Sequence, residues 1–173
     1  MKIVDLSITL KTGMPVYEGD PEVKLTRTQT IVTHTWELDL IEMGSHSGTH
    51  VDAFSHMDPK GETIDSIDLE RFIVRASKNK LVGDATAILF EEEKTIDDYE
   101  FIIESGLTLV GGNVDVELER ALLNHGVITL TNLINLNLLP EDEVFTLIAL
   151  PLKLYQGNGS PVRAVAILNE GVI

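Results

Sequence analysis

The chain has 173 residues, 43% of them hydrophobic and 24% charged, which is enough for one domain with an apolar core. Its formal net charge of −15, from 28 acidic and 13 basic residues, argues against nucleic acid or an anionic membrane as a partner. Cysteine is absent, which excludes disulfides, thiolate metal sites and cysteine catalysis. A transition-metal site would therefore have to use imidazole and carboxylate ligands.

The N-terminal part is predicted to be rich in strands. Residues 2–10 and 23–33 have the composition of strands, and turns containing Gly and Pro separate them. Residues 36–40 alternate apolar and acidic side chains, as in a half-buried strand, and the period slips at Ile41, which predicts a bulge there. An acid at position 5, the lack of an apolar leader and the lack of a run of about 18 apolar residues favour a cytoplasmic protein.

The remainder of the chain is predicted to mix short helices with strands. We expect helices at 67–73, 96–106 and 116–123, the second opened by a capping box from Thr95 to Asp98 and the third capped by Asp115. We expect strands at 80–90, 107–110, 127–133, 144–154 and 162–168, and a turn at 156–161. The prediction is a single strand-rich α/β domain over residues 1–173.

Three of the five histidines lie between residues 44 and 56. His46, His50, Asp52 and His56 share one face of an extended chain, whereas a turn around Gly48 would fold the first histidine back beside the second. Either geometry gathers two imidazoles and a carboxylate, a common catalytic metal set. The alternative is a chance cluster of histidines on a polar surface. His34 and His125 have no such neighbours in the sequence, and we expect them to be structural.

This stretch resembles the His-x-Gly-Thr-His-x-Asp-x-x-x-His signature of the cyclase-like metal-dependent hydrolases, which include bacterial kynurenine formamidases and isatin hydrolases. Similarity extends to both ends of the chain, through residues 4–7, 13–17, 19–21, 64–68, 150–153 and 159–164. The resemblance implies a swivelling β/β/α fold and a homo-oligomer, a dimer or tetramer. It also implies hydrolysis of a C–N bond in a small aryl formamide, such as N-formylkynurenine, or in a cyclic amide. By position, His46, His50 and Asp52 would bind zinc or manganese, and His56 would be the acid/base residue.

The sequence departs from the family pattern at several positions. Glu119 and Thr131 stand where two-metal members have a histidine and a glutamate, so we expect one metal per site and a solvated Glu119 on its helix. Phe54 replaces a usual proline and could form an apolar wall for an aryl substrate. Asp20 either approaches the pocket or is a plain turn residue.

Two other functions remain open at this point. The changes at Glu119 and Thr131 are compatible with a non-catalytic metal-binding relative that has a structural or regulatory role. A hydrolase that uses one metal on a different amide, lactam or lactone is the other alternative.

Overall fold

The computed structural model describes residues 1–168 of the chain, so the predicted end of the domain at 169–173 lies outside the described residues. Within residues 1–168, eleven strands form a nine-stranded mixed sheet and a separate two-stranded sheet. The strands are β1 Lys2–Asp5, β2 Lys24–Gln29, β3 Leu38–Glu42, β4 His50–Asp52, β5 Ile73–Lys78, β6 Ala87–Lys94, β7 Leu109–Val114, β8 Ile128–Thr131, β9 Phe145–Ile148, β10 Gly159–Pro161 and β11 Val165–Leu168. The α-helices are α1 Ile31–His34, α2 Tyr99–Glu104 and α3 Val116–Asn124, and 3-10 turns cover Phe54–His56, Leu69–Phe72, Ile96–Asp98 and Leu136–Leu138.

The large sheet has the order β1-β11-β9-β5-β6-β7-β8-β4-β10. Its centre, from β5 to β8, is parallel, and the other pairings are antiparallel. The first half of strand β6 is buried on both faces, because Ala87 and Leu89 belong to one core cluster while Ile88 and Phe90 belong to another. This explains its unbroken apolar run, which is typical of parallel strands covered on both sides.

Helices α2 and α3 cover one face of the central strands. Ile102 of α2 and Leu118 and Leu122 of α3 pack with residues of β6 and β7 in the smaller core cluster. The predicted caps are present: Asp115 accepts a hydrogen bond from the Leu118 amide at 2.7 Å, and Thr95 and Asp98 form the capping box. Helix α3 packs against the sheet through Leu118 and Leu122, and its Glu119 side chain reaches Thr129 of β8.

Several predicted elements are wrong in extent or type; the strand predicted at 2–10 ends at Asp5, and the strand predicted at 162–168 begins at Val165. The predicted helix at 67–73 is a 3-10 turn at Leu69–Phe72 that leads into β5. In β5, exposed Ile73 and Arg75 alternate with buried Val74 and Ala76, which is the two-residue period of a strand. The strand predicted at 80–90 begins only at Ala87, after a turn. The strand predicted at 23–33 ends at Gln29 and is followed by α1, and the strand predicted at 144–154 ends at Ile148. The predicted turn at 156–161 contains β10, which owes its extended form to pairing with β4.

Strands β2 and β3 form a hairpin that is separate from the large sheet. A bulge is predicted at Ile41 on β3, but the register shift of the hairpin lies between Arg27 and Gln29 on β2. Apolar side chains are exposed on both of its faces, since Leu25 pairs with Ile41 and Thr26 pairs with Leu40. Within residues 1–168 the structure contains no helix with the length and apolar character that a membrane crossing requires.

Candidate metal centre and active-site cleft

The histidine stretch folds as a turn, a short strand and a 3-10 turn. Gly48 has a φ of +67°, a conformation that disfavours side chains, and it reverses the chain between His46 and β4. Strand β4 is inserted between β8 and β10, with His50 opposite Thr131 and Asp52 opposite both Thr129 and Gly159. Because strand residues alternate, His50 and Asp52 share one face while Val51 is buried in the core. The turn after β4 then returns His56 to the same place.

His46, His50 and Asp52 converge on one point. The Nδ1 atom of His46 lies 2.7 Å from Asp52 Oδ1, and the Nε2 atom of His50 lies 3.4 Å from the same oxygen. One ligand atom from each of the three residues falls within 4.8 Å of the others, and within residues 1–168 no other group of three or more His, Asp or Glu residues meets that geometry. The predicted metal residues are thus together in space.

The surroundings of these side chains suit a divalent cation. The His50 ring donates from Nδ1 to the Gly48 carbonyl at 2.9 Å, which leaves Nε2 as the lone-pair atom that faces Asp52. Ligand atoms bound to zinc at about 2.0–2.1 Å in a tetrahedron are roughly 3.3 Å apart, close to the spacing of His50 and Asp52. An imidazole and carboxylate set also matches the chemistry of zinc and manganese.

Asp52 is kept ionised although it is completely buried. Burial disfavours its charge, but the hydrogen bond from His46 and the charges of both histidines outweigh burial and lower its pKa. Its second oxygen, Oδ2, accepts a hydrogen bond from the Thr129 hydroxyl at 2.8 Å. Burial also opposes charge on His46, yet the hydrogen bond to Asp52 raises the pKa of that ring. In the absence of a metal, the proton on His46 Nδ1 therefore bridges the ring and the Asp52 carboxylate, and a metal cation would take the place of that proton.

His56 stands beside this group. Its ring centroid is 4.0 Å from that of His46, with an angle of 31° between the rings. Burial and the nearby His46 ring lower the pKa of His56, so the imidazole is neutral near pH 7. Within residues 1–168 no hydrogen bond occupies either of its nitrogens, so both are available for proton transfer.

A cleft of about 870 Å³ opens over these residues. One part of its wall is apolar, built by Pro15, Val16, Tyr17, Met57, Phe90, Val114, Val116, Leu133 and Leu136. His46, His50, Asp52 and His56 also line the cleft. A small aromatic molecule fits such a cleft with its polar group at the histidines.

The structure corrects the expectations for Glu119 and Phe54 and decides between the two alternatives for Asp20. Glu119 was predicted to be solvated, but α3 directs it into the cleft, where burial and the Asp52 carboxylate raise its pKa to about 8. Phe54 does not line the cleft; it is buried in the main core under the Arg71 guanidinium. Asp20 does line the cleft and acts electrostatically on His56. His34 and His125 are exposed on the surface away from the site.

Sequence reasoning missed the residues that support His46. The Asn158 amide oxygen lies 3.1 Å from His46 Nε2, and Gly159 lies so close that a Cβ there would be 2.4 Å from the His46 ring. Thr129, the donor to Asp52, was also missed. The Asn-Gly pair in residues 156–161 was the available signal, but it was interpreted as a turn.

The model of the Cyclase family matches residues 4–110. This span is more than half of the chain and includes His46, His50, Asp52 and His56. The chain belongs to the cyclase family. The match ends before Glu119 and Thr131, the two positions at which this cyclase-family chain departs from the two-metal pattern.

Relatives and solved structures resemble this cyclase-family chain along nearly its whole length. Kynurenine formamidase from Salinibacter ruber is 27% identical over 207 aligned positions, which cover 95% of this chain and 97% of that protein. Kynurenine formamidase from Paracidovorax citrulli is 29% identical over 203 positions, covering 93% and 94%. Isatin hydrolase A from Labrenzia aggregata, solved with benzyl benzoate, has the same fold, with a TM-score of 0.80, 23% identity, and coverage of 95% of this chain and 93% of that one. The predicted family and the strand-rich α/β fold class are confirmed.

Proposed function

We propose that this chain is a metal-dependent hydrolase that cleaves the C–N bond of a small amide, an aryl formamide or a cyclic amide, with one domain spanning residues 1–173. The observation that carries the proposal is the convergence of His46, His50 and Asp52 beside a neutral His56 in a cleft with an apolar wall. The names of the relatives, kynurenine formamidases, support amide hydrolysis as the reaction. A cytoplasmic location remains a prediction from the sequence.

The proposed cofactor is a single zinc or manganese ion held by His46, His50 and Asp52. Such an ion lowers the pKa of a water molecule toward neutrality and polarises an amide carbonyl. Thr131, at the position of a second-metal carboxylate, carries a neutral hydroxyl that lies 3.0 Å from His50 Nε2. A hydroxyl bonded to the histidine is a poor substitute for a carboxylate ligand, which supports one ion per site.

The remaining chemistry belongs to the protein's own side chains. The neutral His56 ring accepts a proton from the attacking water and delivers a proton to the leaving nitrogen, so the amine departs uncharged. The apolar wall, including Phe90 and Leu133, holds an aryl group and orients the amide toward the histidines. Burial of Asp52 behind His46 keeps water from competing for its oxygens.

The test is reconstitution of the metal-free protein with zinc or with manganese, followed by assays on formanilide, N-formylkynurenine and isatin. We expect turnover that requires the metal. The variant H56A should keep stoichiometric metal and lose about 100-fold or more in kcat. The matched control is H125A, because His125 is an exposed histidine outside the cleft. Full metal loading without turnover on any of these amides would instead identify a non-catalytic metal-binding relative.

We also propose that the chain forms a homo-oligomer, a dimer in the simplest case, through the β2–β3 hairpin. An isolated two-stranded hairpin is marginally stable in water, and this one exposes Trp36, Leu38 and Leu40. A second copy would cover those side chains. Sedimentation analysis should show a dimer for the parent chain and a monomer for L40D. The substitution L69D, at an exposed leucine outside the hairpin, should leave the assembly unchanged. A monomeric parent chain at micromolar concentration would contradict the proposal.

A further inference from the structure

The cleft is unusual in the signs of its charges. Among the described residues that line it there is no lysine or arginine, whereas four carboxyl groups do line it, those of Asp20, Asp52, Glu91 and Glu119, of which Glu119 is mostly protonated at pH 7. A substrate group that extends beyond the reacting amide therefore meets apolar side chains or negative charge. No cationic side chain is present to receive a carboxylate.

Two lysines that contact residues of the cleft wall, Lys78 and Lys94, are engaged outside the cleft. Lys78 is buried, with Nζ 3.3 Å from Glu91 Oε2 and 3.3 Å from Glu141 Oε1, so it neutralises Glu91 from behind the wall. Lys94 lies over the Phe90 ring at 4.9 Å and pairs with Asp98 at 3.4 Å. Neither lysine lines the cleft.

Two of the four carboxyl groups are accounted for within the site. Asp52 belongs to the proposed metal set, and Glu119 lies 3.3 Å from the Thr129 hydroxyl that Asp52 also uses. Asp20 is different. It is an exposed carboxylate on the cleft wall near Tyr17, and no lysine or arginine within residues 1–168 pairs with it.

We infer that the cleft selects amides whose remote substituent is neutral or positively charged and discriminates against amides that carry a remote carboxylate, with Asp20 as the residue that sets this preference. The inference rests on the proposed function, because it concerns the substrate class of the same site. An ammonium group within a few ångströms of Asp20 is attracted, and a carboxylate at the same place is repelled. In a cleft open to water the two effects together change kcat/KM by about tenfold or more.

The selectivity has a second signature. Since Asp20 is exposed, salt screens its charge, with a Debye length of about 10 Å at 0.1 M and about 3 Å at 1 M. The preference for a cationic substrate should therefore diminish as salt is added. A preference that arises from shape alone would not change with salt.

The experiment compares three meta-substituted formanilides of similar size on the metal-loaded protein. They are 3-methylformanilide, 3-formamidobenzylamine, which is a cation at pH 7, and 3-formamidobenzoate, which is an anion. We expect the cation to exceed the anion in kcat/KM by about tenfold or more at low salt. In D20N the cation-to-anion ratio should decrease toward one, and in D20K it should invert. The control D68N, at an exposed aspartate outside the cleft whose side chain makes no capping bond, should keep the parent ratio.

The outcomes separate the two proposals. Cleavage of all three substrates with equal efficiency, or with a preference for the anion, would overturn the charge selectivity while the amidohydrolase function stands. A preference for the cation that D20N leaves intact would also overturn it, because the preference would then arise elsewhere. If the neutral 3-methylformanilide and both charged substrates are all inert, the proposed function fails and the selectivity fails with it.

Discussion

Substitution of Gly159 by alanine tests whether strand β10 positions His46, a proposed metal ligand. A Cβ at this position would lie 2.4 Å from His46 Cε1 and 2.9 Å from Nδ1, whereas ordinary contacts begin near 3.4 Å. The backbone has little freedom to move away, because Gly159 pairs with Asp52 and the Val51 carbonyl oxygen would be 3.0 Å from the new Cβ. The His46 ring must therefore retreat by about 1 Å or rotate away. A displaced ligand should weaken metal binding by about 10–100-fold, as displaced supporting contacts do in other metal sites.

The assay is calorimetric titration of metal-free protein with zinc, with circular dichroism to verify the fold. The control is G44A, which lies in the same loop as His46, where the nearest atom to an added Cβ is 3.6 Å away. We expect parent affinity for G44A. Because G159A acts through His46, the double variant G159A/H46A should bind zinc no more weakly than H46A alone. A folded G159A that binds zinc with parent affinity would refute this role, and an additive loss in the double variant would place its effect outside His46.

Three further predictions address the support of the site and the surface of the fold. T129V removes the hydroxyl that donates to buried Asp52 Oδ2 and should cost about 1–3 kcal/mol of stability in a denaturant titration and also weaken metal binding. The control T108V removes an exposed hydroxyl that donates to the Thr86 carbonyl and should cost less stability. Chelation should lower the melting temperature, and zinc or manganese should restore it, because bound metal adds about 2.7 kcal/mol to the free energy of unfolding when free metal is 100 times its Kd. The metal affinity should decrease as pH falls, because imidazole ligands bind only when deprotonated. An unchanged melting temperature after verified metal removal would argue against the site. The exposed Arg163 guanidinium hydrogen-bonds Asp5 and lowers its pKa, so the pair stabilises the fold above the unfolded pKa of aspartate and this contribution is lost as pH falls through the lower folded value. R163A should therefore melt at a slightly lower temperature than the parent at pH 7 and at the same temperature near pH 2; a difference that persists at pH 2 would assign its effect to packing.

The part of the site that could be predicted from sequence is the part that is local. His46, His50, Asp52 and His56 are brought together by one turn, three strand residues and one 3-10 turn, so their spacing contained the information. Caps such as Asp115 are also local signals, and they were predicted correctly.

The residues that were missed depend on contacts between distant segments. Asn158 and Gly159 reach His46 only because β10 pairs with β4 across more than a hundred residues of sequence. The location of Glu119 in the cleft depends on how α3 is rotated against β8, which the amphipathic pattern of the helix leaves open because the cleft and the solvent are both polar. The helix predicted at 67–73 is only a 3-10 turn at Leu69–Phe72, and strand β5, which starts at Ile73, was not predicted because its extended form depends on its place between β9 and β6.

The register of β8 against β4 places Thr131, one of the two departures from the two-metal pattern, beside His50, and places Thr129, whose hydroxyl lies 3.3 Å from Glu119, the other departure, beside Asp52. Cross-strand pairing sets Thr129 opposite Asp52 and Thr131 opposite His50, so each predicted ligand on β4 has a threonine hydroxyl as its hydrogen-bonding neighbour. A hydroxyl adds no charge, which leaves Asp52 and Glu119 as the carboxyl groups next to the histidines. Burial and the Asp52 carboxylate raise the pKa of Glu119 to about 8, so Asp52 is the charged side chain available to one divalent cation. A second cation would face the neutral hydroxyl of Thr131. The described lining of the cleft contains no lysine or arginine, and this leaves Asp20, which also acts electrostatically on His56, as an exposed carboxylate without a cationic partner among residues 1–168.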